Sequence, residues 1–146
     1  MATLKFVQLK DMTALEAFAL FRLRVDVFVA EQGCPFKELD DVDAAEDTFH
    51  VLAVDSNGHL AGCARAFPTD TGSRFGRFVV APEARGTGLG PEIVAACIEF
   101  TKQWPGDLVI DAQAGLKEYY SRFGFVAEGE EFLDTGIPHV VMRIRR

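Results

Sequence analysis

Three glycines alternate at Gly86, Gly88 and Gly90, directly after Arg85 and directly before a helix-forming stretch. A glycine-rich turn that runs into a helix leaves backbone amides aimed at one place with no internal partner. Those amides and the positive end of the helix dipole favour an anion such as a pyrophosphate, and Arg85 adds a full charge in a fork that suits phosphate oxygens. The competing reading is an ordinary tight turn in which glycine only supplies a positive φ. Three alternating glycines with an arginine, between a strand and a helix, favour anion binding over that reading. A P-loop puts Lys-Ser or Lys-Thr after its last glycine, where this chain has Pro91-Glu92. A dinucleotide fingerprint, G-x-G-x-x-G, starts at Gly86 and Gly88 but meets Pro91 where its third glycine belongs. Asp111 stands roughly 20 residues on, where a ribose-binding acid is expected, so a nucleotide-binding regulatory module stays open.

Other residues narrow the chemistry. Cys34, Cys63 and Cys97 are odd in number and far apart, so neither a disulfide framework nor a zinc spacing can be made from them, and reduced, mostly buried thiols are expected. No His, Cys, Asp and Glu cluster has metal-ligand spacing. The formal net charge of −7 argues against nucleic acid as a partner, which needs clustered Lys and Arg. Glu38, Asp40, Asp41, Asp43, Glu46 and Asp47 form an acidic run just before His50. That run is either a solvated loop or a surface that draws in a cation. No apolar run of ~18 residues exists to span a bilayer, and the N-terminus has no signal-peptide layout, so a cytoplasmic protein is expected.

The elements that must position these residues follow from patterning. Phe78, Val79 and Val80 form a short apolar run suited to a buried strand. Ala81-Pro82 stops it, because proline has no amide hydrogen and restricts its predecessor. Behind the glycines, Leu89, Ile93, Cys97, Phe100 and Trp104 fall on one helical stripe, with Pro91 in the first turn. Thr13 with Glu16 is a capping box that predicts a helix to about residue 30, although residues 23–27 also alternate like a strand. Residues 31–47 read as a loop with room for one helical turn. Strands are predicted over 3–9, 49–55, 59–67 and 73–80, with turns at Ser56-Asn57-Gly58 and at 68–72. Pro105-Gly106 ends the long helix. Residues 108–111 then form a strand that the crossover lets run parallel to its predecessor, followed by a helix at 114–122 and strands at 125–132 and 139–145. Three strands meander before the long helix, unlike a doubly wound sheet, which alternates strand and helix from the start. With 146 residues, 49% of them apolar and thirteen of them phenylalanine, residues 1–146 are expected to form one domain with a substantial core.

The spacing R-x-x-G-x-G after a strand ending in V-x-P resembles the acyl-coenzyme A loop of the GNAT superfamily of N-acetyltransferases. The resemblance implies that Arg85, Gly86, Thr87, Gly88, Leu89 and Gly90 hold the coenzyme's pyrophosphate, and that Phe78, Val79 and Val80 lie beside its pantetheine arm. A second stretch, A-Q-A-G-L-K-E-Y-Y-S-R-F-G-F over residues 112–125, is similar to the family's N-x-x-A-x-x-x-Y-x-x-x-G-F. It puts Tyr120 beside the cofactor sulfur and Gly124-Phe125 at the next turn. Gln113 replaces the usual asparagine and Leu116 the usual alanine, so an amide hydrogen bond from Gln113 to the pantetheine would come from one methylene further out. The first third of the chain, with the later I-P-H, resembles the ElaA-like branch. The implied fold is α/β, a mixed, mostly antiparallel twisted sheet with helices on both faces. The coenzyme is expected where the strand before the glycines and the strand near Leu108 part.

The implied reaction is transfer of an acetyl group from acetyl-coenzyme A to a primary amine, either a small cationic amine or a peptide lysine. A lysine-like amine, with a pKa near ~10.4, must lose a proton before it attacks, and a departing thiolate gains from a hydrogen-bond donor. Tyr120 is the candidate donor, with Tyr119 the better candidate for plain core packing. Glu31, Asp40, Asp41 and His50 are candidates on the acceptor side; for the base, His50 and His139 each open a strand, Glu31 or Asp41 could relay through water, and a direct base need not exist. Two readings compete, a non-catalytic acyl-coenzyme A sensor and the nucleotide-binding module. A monomer and a homodimer are both compatible with the sequence.

Overall fold

The structure, a computed structural model, describes residues 2–33 and 37–146. Strands β1 (Thr3–Val7), β2 (Phe49–Val54), β3 (Leu60–Thr69), β4 (Gly72–Val80), β5 (Asp107–Gln113), β6 (Val126–Asp134) and β7 (Ile137–Ile144) form one sheet in the order β1-β2-β3-β4-β5-β7-β6. Only the β4–β5 pairing is parallel, because the chain returns between them through a helix. The helices are α1 (Ala14–Arg24), α2 (Asp41–Ala44), α3 (Leu89–Phe100) and α4 (Lys117–Ser121). They cover both faces. Leu20 of α1 and Val27 pack on Leu52, Cys63 and Val79, while α3 and α4 pack on the other face against Val51, Phe75, Leu108 and Phe125.

The capping box forms, with Glu16 N donating to Thr13 Oγ1 at 3.1 Å and Thr13 N to Glu16 Oε1 at 2.9 Å. Beyond Arg24 the helix continues as a π-helical segment, Val25–Glu31, so helical geometry prevails over the strand-like alternation at 23–27. β3 runs on through Pro68, where a turn is predicted. This is tolerated because the β2 ladder has already ended at Ala66 and flanks Pro68 no longer. Burial pushes the Cys63 and Cys97 thiols up to about 12. Cys34 lies outside the described residues. No helix among the described residues is long and apolar enough to cross a membrane.

The acidic run is where the structure departs most from the sequence reading. Glu38, Asp40 and Asp43 fold inward onto arginines from three elements. Arg24 donates to Glu38 Oε2 and to Asp43 Oδ1, each at 2.7 Å. Arg65 of β3 donates to Asp40 at 2.7 Å and to Asp43 at 2.9 Å, and Arg77 of β4 reaches Glu38 at 3.0 Å. Glu38 and Asp43 are buried and Asp40 is half-buried, and none of the three is free to draw in a cation because its charge is already matched, whereas Asp41, Glu46 and Asp47 stay exposed. His50 belongs to the same cluster. It is fully buried on β2, and its Nε2–H donates to the Asp43 carbonyl at 2.9 Å. Burial and the neighbouring Arg24 and Arg65 hold it below its ordinary pKa, against the opposing pull of Asp43.

Burial alone would raise the Asp43 carboxyl, but the hydrogen bond and charge of Arg24, the Asp40 amide and Arg65 outweigh it and bring it down to about 2. A lowered folded-state pKa contributes stability that is present above the unfolded value of ~3.9 and lost as pH falls through the folded value. Asp43→Asn is therefore expected to lower stability at pH 7 by on the order of 3 kcal/mol. The gap to the wild type should close as pH falls from ~4 towards ~2. Urea midpoints measured across that range check it, and a gap independent of pH would overturn it.

Candidate active site

β4 and β5 pair over only three rungs, Gly72–Asp107, Ser73–Leu108 and Arg74–Val109. Beyond Arg74 the strands part. β5 stays bound to β7 on its far side up to the Gln113–His139 pair. β4 is bent by a bulge, seen as a register shift opposite Cys63 and Arg65 and as a positive φ of 48° at Arg77. The extra residue also resets the alternation, so that Phe75 and Phe78, three apart, both face the α3 layer. The fork opens a cleft of about 820 Å³, within the ~300–1,000 Å³ range of ligand pockets.

The glycine turn borders one end of the cleft. Gly88 is the N-cap of α3 with φ 87°, and Gly86 has φ 80°. The amides of residues 86–90 have no backbone partner among the described residues, as expected for a turn feeding a helix. Gly90 is held against the cleft wall. A Cβ there would meet the Tyr119 hydroxyl at 3.2 Å and Phe78 and Val80 at 3.5 Å. Arg85, Gly86, Gly88 and Gly90 line the cleft; Leu89 is buried in the core, and the Thr87 hydroxyl donates to Ala84 O. Arg85 forms a two-pronged ion pair with Glu31, at 2.9 and 3.0 Å, which ties the turn to the π-helical segment. Gln113 Nε2 donates to Gln32 Oε1 at 3.3 Å, from β5 to the residue after that segment.

The fork is closed at its root. On the α4 side, Tyr120 packs between Phe75 and Phe125, with ring centroids 6.3 and 5.9 Å away. On the opposite face Arg74 pairs with Asp111 at 2.9 Å. Tyr120 is only 7% exposed, and burial raises its hydroxyl pKa well above the usual value, so it stays protonated at neutral pH. Tyr119, expected to be the packing residue, is the more exposed of the two, although both line the cleft.

Phe78, Val79, Val80, Gln113 and Glu31 line the cleft with the glycine turn, and Val79 also packs into the α1-side core. Asp40, Asp41 and His50 do not line it: Asp40 and His50 belong to the arginine cluster, and Asp41 opens α2 on a separate surface hollow. Sequence reasoning missed Arg65, Arg77 and Asp134, which do. A charged residue at a strand position that should face inward was the available signal for the two arginines.

A family model for an acetyltransferase (GNAT) domain matches residues 23–146. The chain belongs to the GNAT acetyltransferase family. It is 38% identical to the UPF0039 protein Rv2851c of Mycobacterium tuberculosis over 143 residues, covering 95% of this chain and 90% of that one. The crystal structure of an acyl-CoA N-acyltransferase from Pseudomonas aeruginosa superposes with a TM-score of 0.90 at 34% identity, covering 98% of this chain and 99% of that one. Escherichia coli ElaA superposes with a TM-score of 0.90 at 30% identity and the same coverage, so this is an ElaA-like GNAT protein. The seven-stranded mixed sheet with helices on both faces is the acyl-CoA N-acyltransferase fold.

The cleft fits an acyl-coenzyme A by its own chemistry, with unpartnered amides at one end and unpaired strand edges along its length. Gly88→Val forces a β-branched residue to φ 87° and sends its side chain into the open space of the turn. Affinity for acetyl-coenzyme A is expected to fall at least tenfold, about 1.4 kcal/mol, with the fold retained. Calorimetry on the folded variant is the check, and wild-type affinity would overturn the role of the turn.

Proposed function

We propose that the protein transfers an acetyl group from acetyl-coenzyme A to the nitrogen of a primary amine. The observation that carries this is the fork: a glycine turn with unpartnered amides at one end and a buried, protonated tyrosine at the root of two unpaired strands. The amides of residues 86–90 would hold the pyrophosphate, and Phe78, Val80 and Gln113 would flank the pantetheine. The strand edges beyond Arg74 would donate to the thioester carbonyl as oxyanion donors do. Phe75, Tyr120 and Phe125 fill the root of the fork, which favours a short acyl group.

Acyl transfer breaks the C–S bond and leaves a thiolate. Tyr120 would donate its hydroxyl proton or a hydrogen bond to that sulfur. Thiol release from acetyl-coenzyme A, measured against putrescine, lysine, a short lysine peptide and phenethylamine, tests the function. Transfer to at least one of them supports it. Tight coenzyme binding with no turnover on any would replace it with a sensor, and preference for ATP or NAD with a nucleotide module. Tyr120→Phe removes one hydroxyl and little volume, so coenzyme affinity should stay within about twofold of wild type while kcat falls ~10²-fold or more. Tyr119→Phe should change kcat less. Full turnover by Tyr120→Phe, in an assay limited by chemistry, would make Tyr120 a packing residue.

A further inference from the structure

With Asp40, Asp41 and His50 away from the cleft and Glu31 paired with Arg85, His139 is the remaining base candidate from the sequence that lines it. The β6–β7 hairpin supplies it. His139 lines the cleft at the end of the β5–β7 ladder, opposite Gln113. Its Nδ1 lies 2.7 Å from the Ile137 carbonyl oxygen. A carbonyl only accepts, so Nδ1 carries the hydrogen, and in the neutral ring Nε2 keeps its lone pair. Phe132, its partner across the ladder, stacks on the ring with centroids 5.9 Å apart and holds its orientation. The residue is 8% exposed, so a proton taken there is shielded from bulk water without being sealed away.

Asp134 supplies the second half. It sits two residues from Phe132 on β6, hence on the same sheet face, and also lines the cleft. The other carboxylates lining the cleft are already paired, Glu31 with Arg85 and Asp111 with Arg74. Asp134 has no such partner among the described residues. We infer that His139 is the base that deprotonates the acceptor ammonium, and that Asp134 is the carboxylate that receives that ammonium. This rests on the acetyl-transfer reading and deepens it.

The protons balance. The acceptor arrives as R–NH3⁺ and gives one proton to His139 Nε2, leaving R–NH2 and an imidazolium. The nitrogen lone pair forms the new C–N bond at the thioester carbonyl carbon, and the C–S bond breaks. Tyr120 passes its hydroxyl proton to the sulfur and takes in its place the second proton shed by the attacking nitrogen, giving amide and free thiol. The imidazolium then returns its proton to solvent. The charged groups around His139 are Asp134 on β6, the Asp111–Arg74 pair from β5 and β4, the Arg85–Glu31 pair across the cleft, and Arg65 and Arg77, which the carboxylates of the buried cluster offset.

The decisive variant is His139→Asn, which keeps a donor near the Nδ1 position and removes Nε2. With acetyl-coenzyme A and the best amine of the panel, kcat/KM is expected to fall at least ~10²-fold with coenzyme affinity unchanged by calorimetry. The acid limb of its pH profile should flatten. His139→Ala should regain turnover with added imidazole, an effect that a packing role would not produce. In NMR, the His139 ring resonance, identified by its loss in the variant, should shift when the amine is added to the coenzyme A complex. Asp134→Asn should raise the amine KM several-fold and leave kcat nearly constant. Wild-type transfer with an unaltered acid limb in His139→Asn overturns the base assignment alone, and an unchanged KM in Asp134→Asn overturns the capture role alone. A wild-type protein that binds the coenzyme and acetylates no amine overturns the proposed function and this inference together.

Discussion

Backbone amides and carbonyls that leave a sheet ladder must find another partner or water, and that requirement shapes this molecule from β4 outwards. A single inserted residue bends β4 away from β5 after three shared rungs. β5 does not follow, because β7 holds its other edge as far as Gln113. The two strands therefore present unsatisfied main chain to one cleft. The surrounding elements keep the cleft open and shaped: aromatic rings close its root, the turn of residues 86–90 borders one end, and the π-helical segment with Glu31 lies across from it. Had β4 been regular, continued pairing with β5 would have filled the space.

The bulge has an electrostatic counterpart. Arg77, at the irregular position, reaches back over the α1 face to Glu38, which Arg24 also holds. Arg24, Arg65 and Arg77 thus meet Glu38, Asp40 and Asp43 in a network that draws on helix, loop and both strands. Removing any one member leaves a buried charge unmatched, so the network specifies where residues 38–43 must sit more than it adds net stability. It also explains why the excess of acids in the composition is a poor guide to the cleft. Half of the most acidic stretch, Glu38, Asp40 and Asp43, is neutralised by arginines, while Asp41, Glu46 and Asp47 stay exposed away from the cleft.

Most elements were legible from local signals. The Thr13–Glu16 box, the strand runs and the proline-bounded glycine turn each depend on residues a few positions apart, and each formed. The parallel placement of β5 followed from the intervening helix. What sequence alone could not show was pairing at long range. Glu38 lies 14 residues from Arg24 and 39 from Arg77, and nothing in the local pattern of an acidic run distinguishes a solvated loop from a set of buried counter-ions. The adjacent tyrosines illustrate the same limit on a smaller scale. They point about 100° apart on a helix, and only the tertiary position of Phe75 and Phe125 decides that Tyr120 is the buried one.

The two ends of the cleft were unequally legible for a physical reason. The glycine-turn end is built from main-chain amides, so its requirement is conformational, and glycines at fixed spacing record it directly. The rest of the cleft is built from side chains that arrive from the π-helical segment, β3, β4, β5 and the β6–β7 hairpin. No spacing rule links Glu31, Arg77 and His139, since only folding brings them together. On the proposed function, such a site can keep its coenzyme chemistry through a turn that tolerates little change while its acceptor surface changes one side chain at a time. That division follows from how the two ends are made, and with the roles inferred for Asp134 and His139 it makes the hairpin the place where acceptor choice would be altered without disturbing the fork.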